Sequence, residues 1–334
     1  MELNEWLPLA FICLMGLAVI TYAILDGYDL GVGILLPLKD DAEEDRDTMI
    51  SSIGPFWDAN ETWLVLAVGL LLIAFPAAHS IVMRELYLPV TLLLSGLILR
   101  GVAFDFRAKA PTYNKKAWDK TFKGGSLLAS LSQGYMLGMY VTGFDSSFGA
   151  YVFAGLSAVG VSAAYAFIGG AWLVMKTEGE LQKRAAWWTR RCGWLTALGI
   201  LLVCIVNPML DDSIFMKWFA FPQLILVLPY PLVCFGLFVI SDRYLKNMPH
   251  HKDFGCWIPF VSAACIFFLC FQGLAYSFYP HVVPGQLTIW EAASASESLM
   301  FILIGAIIVV PAILGYTIFS YRVFWGKATE LRYY

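Results

Sequence analysis

Four carboxylic acids stand close together near the start of an otherwise apolar chain, and acids so placed suggest proton or cation handling. The stretch ILDGYDLGVG, 24–33, carries Asp26 and Asp29; GPFWDANETWL, 54–64, adds Asp58 and Glu61. An ionised Asp at the centre of a membrane helix costs about 2.5–3.5 kcal/mol, so intramembrane acids mark places of use or of pairing. Asp26 and Asp29 are three residues apart and share a helix face, as do Asp58 and Glu61. Arg100 opens a third motif, RGVAFDFR, 100–107. Burial and like charges favour the neutral form of a carboxyl, and a guanidinium favours the charged form. A group of this kind can exchange protons. The same residues also allow a structural reading: Arg100 pairs with one Asp, and Asp58 caps the helix it begins.

The elements that hold these residues follow from hydropathy. Of 334 residues, 59% are hydrophobic and 14% charged, with mean hydropathy +0.69; soluble domains carry about 25% charged residues. The chain reads as an integral membrane protein with no soluble domain. A span needs about 20 apolar residues. Nine runs qualify: 7–37, 55–77, 81–106, 123–144, 149–175, 188–208, 218–241, 254–279 and 294–321. Segments after the odd-numbered runs hold all of the 22 Lys and Arg except Arg84 and Arg100, read as within the third run, and Lys217. The positive-inside rule then puts the N-terminus outside and the C-terminus in the cytoplasm. Backbone groups must be satisfied within lipid, so the expected fold is all-α with nine transmembrane helices. This topology gathers Asp26, Asp29, Asp58, Glu61 and Arg100 on the cytoplasmic side of one helix group. Gly27, Gly31 and Gly33 leave room for another backbone, and Gly124-Gly125, Gly169-Gly170 and Ala163-Ala164 suit close packing. Pro76, Pro222, Pro229, Pro231, Pro259 and Pro311 mark kinks or span ends.

Several chemistries are disfavoured. A net charge of −3 gives no basic surface for nucleic acid. The seven cysteines are odd in number without C-x-x-C spacing, and read as buried small hydrophobes. Haem held between helices needs an axial His or, less often, Met. His79 and His281 fall at the outer edge, and His250 and His251 in an inner loop. Met136 and Met139 read as packing, so no haem iron is expected on this chain. The first run lacks a basic segment before it and exceeds a leader's apolar core, so it is expected to remain as a helix.

DGYDLGVG (26–33), PFWDANETWL (55–64) and RGVAFDFR (100–107) resemble subunit II of cytochrome bd-type quinol oxidases, in the same order, and PGQLTIWEA before the last span extends the resemblance along the chain. Ala59-Asn60-Glu61-Thr62 stands where other members often have Gly-Asn-Gln-Val, a departure that resembles the cyanide-insensitive branch. The resemblance implies two four-helix bundles plus one peripheral helix. It assigns 1–144 to the first bundle, 145–280 to the second, and 281–334 to the last helix and tail. It implies a heterodimer in the bacterial cytoplasmic (inner) membrane whose subunit I holds two haems b, haem d and the quinol site. That complex oxidises quinol, reduces oxygen to water and is electrogenic without pumping. A small single-helix subunit and a structural quinone or lipid are further implied partners. Residue by residue, Asp58 matches an acid on a proton path from the cytoplasm, and Asp29 and Asp26 match first-helix acids; Glu61 lies in the same motif as Asp58. Trp63 matches a residue near an oxygen route, and it reads equally as an interface aromatic, as does Trp57. Competing readings are a proton-coupled secondary transporter, which would show inverted repeats and broken midplane helices, and a purely structural scaffold.

Overall fold

The computed structural model describes residues 3–39, 42–109, 111–210, 212–250 and 253–328. His251, Lys252 and Arg332, used above, lie outside them. The chain runs α1 (Leu3–Leu35), α2 (Glu43–Ile53), α3 (Trp57–Ala74), α4 (Pro76–Glu85), α5 (Tyr87–Lys109), α6 (Thr112–Val141), α7 (Phe148–Lys176) and α8 (Gly179–Leu210). It continues through α9 (Asp212–Phe219), α10 (Gln223–Val227), α11 (Pro229–Lys246) and α12 (Ile258–Phe278) to a hairpin of β1 (His281–Val283) and β2 (Leu287–Thr288). A short α13 (Ile289–Ala292) and the long α14 (Ser296–Val323) follow.

Eight helical stretches among the described residues are long and apolar enough to cross a membrane: α1, α3, α5, α7, α8, α10 with α11, α12 and α14. The fourth sequence run falls on α6, a 30-residue helix outside that set. Its lower hydropathy has a cause in packing. Ser126, Ser130 and Ser132 are buried, Ser130 bonds Ser162 of α7 at 2.9 Å, and Gln133 accepts from the Tyr165 hydroxyl of α7 at 2.6 Å. A helix wrapped by its neighbours meets less lipid and tolerates small polar residues.

Proline breaks several elements where it removes a backbone donor. Pro76 starts α4, which carries the exposed Arg84; that residue therefore precedes the third membrane helix rather than lying in it. The seventh run is divided into α9, α10 and α11, with Pro222 and Pro229 at the two boundaries. The architecture is mostly helical, as expected, with one short hairpin between α12 and α13 whose Gly285 takes φ +69° at the turn. It leads into α13 through a capping box in which the Thr288 hydroxyl accepts from the Glu291 N–H, and the Glu291 carboxylate accepts from the Thr288 N–H. The cysteines are all free, but only Cys234 is buried; Cys13 and Cys265 are exposed on apolar helices.

Close packing comes from small residues. A Cβ on Gly31 would collide with the Tyr165 carbonyl of α7, so α1 and α7 touch backbone to backbone there. Gly96 of α5 meets Gly125 of α6, where an added Cβ would lie 2.8 Å from the Gly125 carbonyl oxygen. Gly27 and Gly33 admit side chains instead, the Tyr165 ring and Ser126, and Gly124 faces open space. Around these contacts α1 packs on α3, α6 and α7, α5 packs on α6, and α7, α8, α11 and α12 close into a ring. Lys123 of α6 donates to the Ile34 and Leu36 carbonyls at 2.7 and 2.9 Å, satisfying acceptors left open where α1 ends.

The last helix is tied by hydrogen bonds at its C-terminal end. Tyr321 bonds Tyr28 of α1, and Lys176 of α7 donates to the Phe324 carbonyl at 2.8 Å. Beyond the helix, Lys327 donates to the Thr177 carbonyl at 2.9 Å and pairs with Asp253 at 2.9 Å. One face of α14 is apolar and exposed, with Phe301, Ile304, Ile308 and Phe319 among its residues.

Candidate functional site

The C-terminal half of α1 places Asp26 and Asp29 on one face, and both are fully buried. Arg100, on the α5 face that turns inward, is also fully buried; its Nη1 lies 2.7 Å from Asp26 Oδ1 and its Nη2 3.0 Å from Glu61 Oε1. The guanidinium also rests over the Trp57 ring, 5.9 Å from its centroid. One cation thus joins α1, α3 and α5. The ion pair foreseen as a structural reading is present, with Asp26 as the acid. Isolating either charge by removing its partner would cost about 3–5 kcal/mol.

Asp29 takes a different partner. Asn60, almost fully buried on α3, donates from Nδ2 to Asp29 Oδ2 at 2.7 Å, to the Tyr28 hydroxyl at 3.0 Å and to the Leu25 carbonyl at 3.4 Å. Tyr321 of α14 donates to Asn60 Oδ1 at 3.3 Å and meets the Tyr28 hydroxyl at 2.5 Å. Asp26 Oδ2 and Asp29 Oδ1 have no hydrogen-bond partner among the described residues. One turn N-terminal to Asp26, the Tyr22 hydroxyl accepts from Gln133 of α6, which in turn accepts from Tyr165 of α7, at 2.7 and 2.6 Å.

Asp58 stands apart from the buried group. It is exposed, one turn before Glu61, which is 26% exposed and bridges the surface to Arg100. Phe56 rather than Asp58 holds the N-cap position of α3, and no side chain caps it, so the capping reading of Asp58 is corrected. Trp57 packs on Phe104 with centroids 5.0 Å apart. Trp63 is fully buried against Ala18, Tyr22 and Ala67, a packed position between α1 and α3 rather than a surface one.

Sequence reasoning passed over Tyr28, Asn60, Gln133 and Tyr321, and it missed a second charged group where α5 ends and α6 begins. There Asp119 is fully buried between Arg46 of α2 at 2.8 Å and Arg107 at 2.5 Å, and Arg107 also pairs with Asp47 at 2.7 Å. An Asp and an Arg embedded in the polar run before the fourth span were the available signal.

No group of three or more His, Cys, Asp or Glu among the described residues is arranged to hold a metal ion. His250 stacks on Tyr244, and Met139 is packed in an apolar cluster with Phe144 and Ala154.

The sequence matches the profile of the family described as Cytochrome bd terminal oxidase subunit II over residues 7–324. It is 27% identical to the Haemophilus influenzae protein described as probable cytochrome oxidase subunit 2, across 96% of this chain and 94% of that one. Similarity to cytochrome bd ubiquinol oxidase subunit 2 of Bacillus subtilis is 27%, across 95% of each. Similarity to cytochrome bd-I ubiquinol oxidase subunit 2 of Escherichia coli K12 is 28%, across 95% and 94%. In fold it is similar to a chain of the bd oxidase from Geobacillus thermodenitrificans, with TM-score 0.58 and 9% identity over 97% of this chain and 100% of that one. The chain belongs to the cytochrome bd terminal oxidase subunit II family.

Proposed function

We propose that this chain is the haem-free subunit of a quinol-oxidising, oxygen-reducing complex, and that its acidic group lies on the cytoplasmic route by which protons reach the partner's haems. The observation that carries the proton role is an excess of acid over base. Asp26, Asp29 and Glu61 surround Arg100, with two carboxylate oxygens unpartnered among the described residues. Uncompensated charge is costly in a low-dielectric interior, and protons are exchangeable cations that balance such an excess. Asp58 is the receiving group at the surface, Glu61 the link inward, and Asp29 and Asp26 the buried members; Arg100 is the fixed counter-charge.

The complex pairs this chain with a haem-bearing subunit I that holds two haems b, haem d and the quinol site, in the bacterial cytoplasmic membrane. The family supports that partner, and the exposed Asp58 and Thr62 on α3 support where it sits. Polar side chains in membrane helices face protein or water rather than lipid, so the α3 face at Thr62 is the side covered by subunit I, with Asp58 at the water-accessible rim of that contact. Nine crossings, with α6 as the fourth, give the N-terminus an outside position; the basic segments support this topology. The ring of α7, α8, α11 and α12 supports the second four-helix bundle, and the packing of α1, α3, α5 and α6 the first, with α14 peripheral. The complex builds a potential by taking protons from one side and releasing quinol protons on the other, without pumping. Subunit II also supports assembly of the haem subunit. A small single-helix subunit and a structural quinone or lipid complete the assembly.

Asp58→Asn tests the route. In the intact complex, quinol-driven oxygen uptake falls while haem content stays normal. Wild-type uptake in that variant would exclude Asp58 from proton delivery and favour the scaffold reading.

A further inference from the structure

The hydrogen bonds around Asn60 form a closed ring with one sense of donation. Tyr321 donates to Asn60 Oδ1, which commits the Tyr28 proton to the Tyr321 oxygen, and Asn60 Nδ2 donates to the Tyr28 oxygen. The second Nδ2 proton is left for Asp29 Oδ2 at 2.7 Å. The amide cannot profitably turn over. Its nitrogen also faces the Leu25 carbonyl at 3.4 Å, and a backbone carbonyl only accepts. Turning the amide would bring its oxygen against that carbonyl and against the carboxylate. Asp29 Oδ2 is therefore held as an acceptor, and Asp29 Oδ1, buried without a partner among the described residues, is the atom open to a proton.

We infer that the Tyr28–Asn60–Tyr321 ring is an orientation lock that confines the exchangeable proton of Asp29 to Oδ1, which makes Tyr321, on the last helix, a positioning residue for a first-helix acid. The inference rests on the proton role given to Asp29 above. The lock joins three helices, since Tyr28 belongs to α1, Asn60 to α3 and Tyr321 to α14. Docking of the otherwise little-buried α14 thereby completes the surroundings of Asp29. The other charged and titratable groups facing this site are Asp26 on α1, Glu61 on α3 and Arg100 on α5, with Tyr22 on α1 and Tyr165 on α7 beside Asp26. None of these is altered by opening the ring at a tyrosine hydroxyl.

The test uses the whole purified oxidase complex. Tyr321→Phe removes one hydroxyl and retains the ring that stacks on Phe56 at 4.5 Å. Tyr28→Phe opens the same lock from α1 and keeps the stack on Trp172, so it carries the test if the first variant fails to assemble. Redox-difference infrared spectra identify the Asp29 carbonyl band as the one lost in Asp29→Asn. The expected result is a displaced or split Asp29 band and a moved midpoint in the pH profile of oxygen uptake, with haem content and the KM for quinol unchanged. An unaltered band and pH profile in an assembled tyrosine variant would overturn the lock alone. Wild-type uptake and no missing band in Asp29→Asn would overturn the proton role of Asp29, and the lock with it.

Discussion

Arg100 lies 2.7 Å from Asp26 and both side chains are buried, so a single ion pair ties α5 to α1 within the membrane interior. Removing one member leaves the other uncompensated. Arg100→Leu is expected to destabilise the subunit by about 3–5 kcal/mol. It also frees Glu61, which shares the guanidinium at 3.0 Å. The check is the yield and thermal unfolding of the complex in detergent. A variant assembling at wild-type level would show that this pair is not a principal tie between the helices.

The Asp119 group ties α2 to the ends of α5 and α6. Arg46 is buried because Asp119 and the carbonyls of Pro37 and Lys39 hold it. Asp119→Ala leaves Arg46 and Arg107 sharing less negative charge and loosens α2. Trypsin cleavage after Arg46 in inverted vesicles is expected to rise well above wild type. Unchanged protection would mean that apolar contacts of Met49, Ile50 and Ile53 suffice to hold α2.

Helix spacing gives a paired prediction. Gly31→Ala sets a methyl against the Tyr165 backbone, and overpacking of this kind costs about 1–3 kcal/mol. Gly124→Ala meets open space and is expected to leave stability level or slightly raised. Equal thermal midpoints for the two variants would contradict the close approach of α1 and α7.

The β1–β2 hairpin and the capping box after it carry a pH dependence. Hydrogen bonds from the Thr288 hydroxyl and backbone N–H hold the Glu291 carboxyl below its usual range. A carboxyl lowered by folding contributes stability above its unfolded value, about pH 4.3, and that contribution is lost as pH falls through the folded value. Hydrogen-exchange protection of 281–292 should therefore decline as pH falls below that region, and Thr288→Val should flatten the dependence. The group is solvent-exposed, so the change is local and small. A pH-independent exchange rate, after correction for intrinsic chemistry, would contradict it.

What the sequence revealed follows from how conspicuous each residue type is. Asp26, Asp29 and Arg100 stood out because ionisable groups are rare in apolar runs, and alternating basic segments ordered the helices around them. Asn60, Tyr28 and Tyr321 did not, because amides and phenols are ordinary in membrane helices and the Tyr321–Asn60 bond spans 261 positions. Asp58 was read together with Glu61 from their spacing, yet only Glu61 reaches the buried cation; three residues on a helix share a face without sharing depth. The division of the seventh run was signalled by Pro222 and Pro229, whereas α2 was hidden by its polar composition. Its apolar residues are few, and long-range salt bridges supplement them.

The most direct test of the account is to purify this chain from native membranes by affinity and record a reduced-minus-oxidised spectrum. Haem b and haem d bands, stoichiometric with a second large polypeptide, are the predicted result. A single haem-free polypeptide that moves protons in liposomes would contradict it and restore the transporter reading.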